Sequence, residues 1–566
     1  MKTIETDVVV IGGGATGAGI LRDCALRGIK AVLVERDDIA NGTTGRNHGL
    51  LHSGARYAVT DGHSAKECIR ENRILKNIAS HCVEETDGLF LTLPEDELSF
   101  QHKFITACSD AGIETQLLTP QEALKLEPNA NPDMLGAVRV PDGTLDPFRL
   151  TSANILDAVE HGAQVMTYKK VVSLIIEQGI VRGVNCIDIK TGEAVTVRAR
   201  QVVNAAGIWG QQIAEYANLS IRMFPAKGSL LIMDYRINSM VLNRCRKPAD
   251  ADILVPGDTI SLIGTTSRKV PYEEIDNIKV DSDEIDVLIR EGEKLAPILG
   301  RSRVLRAYCG VRPLISVDGD TSGRNISRGI VIRDHADTDG LPGLVTVAGG
   351  KLMTYRLMAE MTTDVVSKNL ETNACCTTAE TKLPGASKDK IKQAASVSVP
   401  VSISAQYRHG ERAEQFLKGD SLSKSVVCEC EMITRGEIEY AIEQLNAHSL
   451  VDLRRRTRLG MGPCQGEVCA CRAADVLQET LKKQGKETNI AKDLNEFLQT
   501  RWKGVLPVLW GDALREADFT YWTYQSLLGA SSLEDFSHNR SGQKDGIQNT
   551  AALVENSLAT QLEREV

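Results

Sequence analysis

The chain opens on an apolar run. Residues 7–11 read DVVVI, β-branched and without polar alternation. That pattern predicts a central strand of a parallel sheet, buried on both faces. A glycine-rich turn follows, Gly12-Gly13-Gly14-Ala15-Thr16-Gly17, and then apolar residues at helical spacing: Ala18, Leu21, Cys24 and Ala25, with Gly28 as terminator. Residues 31–34 predict a second strand, with Glu35 at its end, 23 residues after Gly12. Two later segments repeat the passage from strand to small residues. Residues 201–207 read QVVNAAG. Residues 344–355 read LVTVAGGKLMTY, a strand, the pair Gly349-Gly350, and a helix start.

Length and charge narrow the classes. At about 100–200 residues per domain, 566 residues make three or four domains, or one large domain with appendages. The 42% apolar and 25% charged content is that of a globular protein. The net charge of −9 argues against general nucleic-acid binding, which needs surplus basic charge to displace counterions. A local basic pocket for a small anion stays open. No apolar run reaches the ~18 residues of a membrane span. The acidic start lacks a secretory signal pattern. A cytoplasmic chain, peripheral to a membrane at most, is the expectation.

The first forty residues carry a nucleotide-binding pattern. Gly12 allows the tight turn, Gly14 lets the backbone approach a pyrophosphate, and Gly17 lets helix and strand pack closely. Amides at the helix N-terminus favour phosphate, and Glu35 can accept from a ribose. Between a strand and a helix, with an acid closing the next strand, G-x-G-x-x-G is a strong signal; the alternative is a glycine-rich turn. No second fingerprint of this quality marks a nicotinamide domain. The segments at 201–207 and 344–355 read as flavin-pocket walls or as ordinary strand-to-loop turns.

Four segments, GGGATGAG at 12–19, TTGRNHGLLHSGARY at 43–57, CGVRPL at 309–314 and GGKLMTYR at 349–356, resemble the FAD-dependent glycerol-3-phosphate dehydrogenases. With the C-terminal cysteines the chain resembles the A-subunit family of the anaerobic respiratory form over roughly residues 5–530. The resemblance implies an α/β fold: a D-amino-acid-oxidase-like FAD-binding Rossmann domain interleaved with a mixed-sheet substrate domain, plus a small helical iron–sulfur domain on the C-terminal side. It implies FAD held by Gly12, Gly14, Gly17, Glu35, Arg36, Thr44, Gly45, Gly207, Gly349 and Gly350. Family substrate residues fall on Arg56, Tyr57, Arg312, Arg328 and Lys351.

The residues themselves agree, since a phosphate dianion wants several cationic donors and Arg bonds it bidentately. Arg356 and the hydroxyl of Tyr355 are further candidates, Arg356 with a structural salt bridge as its alternative. His52 is a candidate base for the alcohol proton, with His48 four residues earlier. Flavin contact, or proton loss to water while Arg312 holds the alkoxide, are the alternatives. Aerobic relatives tend to carry a His after the segment resembling residues 226–229. Leu230 stands there, so any role of that His is absent.

Five of the 14 cysteines fall within 44 residues. Cys428-Glu429-Cys430 is C-x-C, and Cys464 to Cys469 is C-x4-C, with 33 residues between the pairs. Four thiolates suit zinc or an iron–sulfur cluster. Structural zinc prefers C-x2–4-C knuckles. The spacing resembles the bacterioferritin-associated-ferredoxin-like domain, which implies a 2Fe-2S cluster on Cys428, Cys430, Cys464 and Cys469. The loop at 460–466 offers amides to the sulfurs, and Cys471 reads as a buried small apolar residue. A one-electron centre argues for a dehydrogenase feeding a respiratory chain. The resemblance implies glycerol 3-phosphate as substrate. As partners it implies a second flavoprotein-like subunit together with a membrane-anchoring iron–sulfur subunit. Quinone is then the indirect acceptor, at the cytoplasmic side of the membrane.

The expected divisions are residues 1–370 as flavoprotein core, 371–425 as linker and small helical element, 426–480 as cluster domain and 481–566 as tail. The basic run DLRRRTR at 452–458 reads as a solvated helix face, or else as a contact for another protein of the assembly or anionic lipid. Trp502, Trp510, Trp522, Tyr521 and Tyr524 read as packing the tail onto the core, or as an interface between subunits. After about residue 533 the polar sequence predicts a mobile end. Two other functions share these features: an L-2-hydroxyglutarate-like dehydrogenase on the same core, and a non-catalytic redox accessory protein.

Overall fold

The computed structural model describes residues 2–315, 329–386, 400–486 and 488–527. The first apolar run becomes β1 (Lys2–Ile11), in which Val8, Val9 and Val10 are wholly buried. The glycine turn leads into α1 (Ala15–Leu26), stopped where Gly28 takes φ +73. β2 (Ala31–Val34) is buried along its length. Beyond them come β3 (Ala194–Asn204), β4 (Met223–Met233), β5 (Val304–Ile315), β6 (Leu344–Gly349) and α2 (Tyr355–Asn369).

β1 runs parallel to β2 and to β3, placing Ile11 opposite both Val34 and Asn204. β6 runs parallel to β3, with Asn204 opposite Thr346. Four carboxyl ends therefore stand level, in the order β2-β1-β3-β6. The loops that leave this edge are where open α/β sheets bind ligands. α1 and α2 seal one face through Ile20, Leu21, Met358 and Val366.

Among the described residues a second sheet holds nine strands. β4 and β5 form its longest antiparallel pair, with Ala226 opposite Arg312 and Gly228 opposite Gly310. The strand Gly88–Thr92 is parallel to Val241–Arg244 but antiparallel to Gly136–Val140, so the sheet is mixed. The chain crosses between the two sheets repeatedly. That interleaving delivers β5 of the second sheet to the ligand edge of the first.

After the linker, Val401–His409 is helical, although residues 401–404 alternate Val/Ile with Ser. Only Ala405, Arg408 and His409 of that helix are buried, so burial at helical spacing overrides the alternation. The cysteine region pairs two short strands, Val426–Cys428 and Ile433–Thr434, with α3 (Arg435–Gln444), α4 (Leu450–Thr457) and α5 (Ala470–Lys483). It has its own core of Ile433, Ile438, Leu453 and Leu477, closed by Phe497 and Leu498 of α6 (Ile490–Val505).

The basic run at 452–458 is neither a solvated face nor a free contact surface. Arg455 and Arg456 both bind Asp38, at 2.9 and 2.6 Å, in the loop just after β2. Arg458 binds Asp258 at 2.7 Å and Glu431 at 3.1 Å. The helix is a clamp between the cysteine region and the core. Of the tail aromatics, Trp502 stacks on Tyr521 at 5.1 Å and Tyr524 is buried, whereas Trp510 is 76% and Trp522 51% exposed. The expected mobile end lies outside the described residues. Among those described, no helix is long and apolar enough to cross a membrane.

Candidate active site and cysteine centre

The glycine turn sits at the level edge of the first sheet. Gly12 has φ +111, and a Cβ there would stand 2.5 Å from the Ala205 carbonyl. A Cβ on Gly17 would stand 1.9 Å from the Gly12 carbonyl oxygen, so turn and helix touch through glycine alone. Glu35 at the end of β2 accepts from the Gly13 amide at 2.6 Å and the Asp37 amide at 2.8 Å. Burial pushes its carboxyl up, against those two amides. Thr44 accepts from the Ala15 amide at 3.0 Å, tying the 43–49 segment to the helix start. Gly45 lies against Ala40 and Phe148. Arg36 covers the Trp209 ring at 4.8 Å and pairs with Asp37 and Asp276. Gly207 (φ +60) faces open space where a side chain would project, and Gly349 and Gly350 both have positive φ. A cradle lined by backbone, with an acid at the second strand, fits a dinucleotide.

Polar side chains gather around the 52–57 segment. Lys351 lies 3.2 Å from the Ser64 hydroxyl and 4.8 Å above the Tyr57 ring. That ring is 5.4 Å from His52, itself 6.0 Å from His48. Arg56, on the same short helix Ala55–Ala58, binds Asp252 at 3.3 Å and the Ala249 carbonyl at 3.2 Å. Its Nη1 is buried with no partner among the described residues. An unmet guanidinium nitrogen fits an anion. Arg312 is aimed by the second sheet: it donates to the carbonyls of Lys227 (3.2 Å) and Thr266 (2.8 Å) and to the Thr265 hydroxyl (2.6 Å). β5 is tied to the cofactor loop where Thr43 donates to the Val311 carbonyl at 2.6 Å. Leu230, beside the segment 226–229, is buried.

Tyr355 fails as a substrate donor, and Arg356 takes its alternative, a structural salt bridge. Arg356 makes a buried bidentate pair with Glu71 at 2.8 and 2.7 Å and joins Glu360 and Thr378, a structural lock. Tyr355 is 1% exposed and bonded to Asn154 at 3.0 Å, so its hydroxyl serves the core. Helix geometry explains both, since α2 turns these residues inward behind the Gly349-Gly350 turn. Arg328 lies outside the described residues. Ser64 and the Thr265-Thr266 turn were missed; isolated Ser and Thr on a helix and a turn carry no sequence signal.

The four cysteines meet in one chain of contacts, Cys428 to Cys469 to Cys464 to Cys430. Cys469 hydrogen-bonds Cys428 and Cys464, and Cys430 hydrogen-bonds Cys464, which pulls the Cys464 thiol down to about 2. Backbone amides reach the sulfurs: Glu431 and Gly460 at Cys428, Gly466 and Val468 at Cys464. Gly462 leaves room for Cys430, whose Cβ would be 2.5 Å from an added methyl. Among the described residues no three His, Cys, Asp or Glu side chains are disposed around a single ion. Four thiols in mutual contact fit a two-iron cluster, which takes two thiolates at each iron. Cys471 is exposed, not buried: α5 starts at Ala470 and turns it outward.

Comparison with known proteins follows the same division. Residues 7–356 match the family model "FAD dependent oxidoreductase", and residues 426–479 the "BFD-like [2Fe-2S] binding domain". The chain is 61% identical over 538 residues to the A-subunit of the anaerobic glycerol-3-phosphate dehydrogenase of Escherichia coli strain K12, covering 94% of this chain and 98% of that one. It is 41% identical over 524 residues to the A1-subunit of the Haloferax volcanii anaerobic glycerol-3-phosphate dehydrogenase, covering 90% and 88%. Among solved structures it superposes on the FAD-bound glycerol-3-phosphate dehydrogenase of Bacillus halodurans with a TM-score of 0.66, covering 90% and 96%. At 23% identity that likeness speaks for the fold alone.

Proposed function

The chain belongs to the FAD-dependent oxidoreductases and, within them, to the family of anaerobic glycerol-3-phosphate dehydrogenase A-subunits, and from this premise we propose that it oxidises sn-glycerol 3-phosphate to dihydroxyacetone phosphate. The observation that carries the reading is 61% identity across both modules with the Escherichia coli protein. The site chemistry supports it. The unmet Nη1 of Arg56 and the Lys351 ammonium are the charges a phosphate dianion needs. Arg312, its direction set by carbonyls, stabilises the developing alkoxide.

The residues proposed to hold FAD are those of the glycine cradle with Glu35, Arg36 and Thr44. Bound there, FAD supplies the acceptor for the hydride of the alcohol carbon. His52 takes the hydroxyl proton, and its place beside Tyr57 and His48 keeps the imidazole oriented. Cys428, Cys430, Cys464 and Cys469 hold a 2Fe-2S cluster, which supplies one-electron transfer. In this reading other subunits receive those electrons and deliver them to quinone, and the chain is peripheral to the cytoplasmic face of the membrane through them. An assembly is supported by the relatives being subunits themselves.

The test is anaerobic bleaching of the bound flavin by glycerol 3-phosphate, 2-hydroxyglutarate and amino acids, with iron and sulfide analysis on the same sample. Bleaching by glycerol 3-phosphate alone is expected. Preference for either of the others would overturn the substrate. Arg312→Ala is expected to keep its FAD and lose about 10²–10³-fold in turnover, the usual size for a charge-stabilising donor.

A further inference from the structure

The helix Ser282–Leu295 opens on a capping pair: Asp281 precedes it, and Glu284 in its first turn accepts from the Asp281 amide at 3.2 Å. A surface glutamate would serve for that. Glu284 is instead wholly buried, which a carboxylate tolerates only with partners. One of its oxygens lies 2.8 Å from the Lys227 ammonium, and the other accepts from the Thr266 hydroxyl at 2.6 Å. Arg268 stands farther off, at 3.9 Å, and is taken by Asp283.

Lys227 and Thr266 have a second task in common. Their backbone carbonyls accept from Arg312, at 3.2 and 2.8 Å. The residues that aim Arg312 by main chain are therefore tied by side chain to one carboxylate. The tie leaves little play. The single proton of the Thr266 hydroxyl goes to Glu284, and its oxygen accepts from the Ser229 amide at 2.9 Å, so the group has one orientation. Lys227 also reaches Asp281 at 2.6 Å and the Lys279 carbonyl at 2.8 Å. The Arg312 guanidinium lies against Gly228, where a Cβ would stand 2.6 Å from Nη2, and that nitrogen also donates to the Thr265 hydroxyl at 2.6 Å. A shift of the 265–266 turn would carry the guanidinium with it. For stability alone, an apolar side chain often serves as well as a buried charge. A carboxylate meets the hydroxyl and the ammonium at once, and an apolar side chain meets neither.

We propose that Glu284 is a positioning residue of the oxidation: it holds Lys227 and Thr266 together so that their carbonyls keep the Arg312 guanidinium on the reacting oxygen. Glu284 acts through Arg312, so the inference rests on Arg312 stabilising the alkoxide as proposed above.

The experiment follows anaerobic bleaching of the full-length FAD-loaded chain over a range of glycerol 3-phosphate concentrations. E284Q and T266V are expected to keep FAD and to lower the limiting rate about tenfold, with the half-saturating concentration changed less than about threefold, because what is lost acts in the transition state. T266S gives the hydroxyl back and recovers most of the rate that T266V loses. In R312A, already slow, adding E284Q costs less than about twofold more, since the group it aims is gone. A merely structural glutamate would cost about tenfold in R312A as well, and that result would overturn the proposal. So would loss of FAD from both E284Q and T266V, or undiminished rates in both while R312A is slow. A wild-type rate in R312A would overturn the reading of Arg312 and the proposal with it, a result distinct from a slow R312A beside a fast E284Q.

Discussion

In the nucleotide cradle the ligand-facing groups are backbone atoms, held level by strand register: Ile11 beside Val34 and Asn204, and Asn204 beside Thr346. In the cysteine centre they are four thiols on a strand end, two turns and a helix start, held by amides and by one another. The first arrangement is rigid before any ligand arrives, because a buried parallel sheet sets it. The second gathers four groups that repel once ionised, and metal completes it. The two modules are joined chiefly by buried charge, Arg455 and Arg456 on Asp38, in the loop that also carries Glu35. A break in either module should therefore be felt differently from a break in the joint.

The largest expected effect is at the cradle. Gly17→Ala places a methyl 1.9 Å from the Gly12 carbonyl, so turn or helix must move. FAD content, read by absorbance, should fall about tenfold or more. Cys464→Ser should abolish the iron and sulfide content while FAD and substrate bleaching persist; loss of both cofactors together would mean that the modules are not separable.

The joint comes next. Arg456→Leu leaves Asp38 buried with one partner fewer and should cost about 3–5 kcal/mol in denaturant unfolding. Its pH dependence has a definite sign. Burial opposes the Asp38 charge, but Arg456 and Arg455 hold its carboxyl below the usual range. Stability from this pair is therefore full above the unfolded carboxylate value and is lost as pH falls through the lower folded value. Glu437 behaves likewise inside the cysteine module. Burial opposes its charge, yet Arg408 and His409 hold it down to about 2, so thermal stability should decline between the usual range near 4.5 and about 2. The smallest effect is at the exposed pair Arg472–Glu429 on the rim of the cysteines: Arg472→Ala should change stability by about 0–1 kcal/mol and leave the cluster in place.

Local pattern made much of the cradle legible, because each task there falls to a residue type with few substitutes. Only glycine fits where Gly12 and Gly17 touch, and an uninterrupted β-branched run fits a strand buried on both faces. The spacing of Cys428, Cys430, Cys464 and Cys469 was equally readable, since few side chains besides thiols cluster so. Arg356 and the basic run at 452–458 were not readable in this way. An arginine looks the same in sequence whether it meets substrate, solvent or a buried carboxylate 285 or 418 positions away.

Chain order alone thus settled which segments could turn tightly, bury both faces of a strand or offer four thiolates, since these depend on neighbours within a few residues. Tertiary packing alone decided where the charges went. It set Arg356 on Glu71, Arg456 on Asp38 and Arg312 on the carbonyls of a distant turn. Coulomb energy and desolvation depend on distance in space, and that distance exists only once the two sheets and the cysteine region have closed on one another.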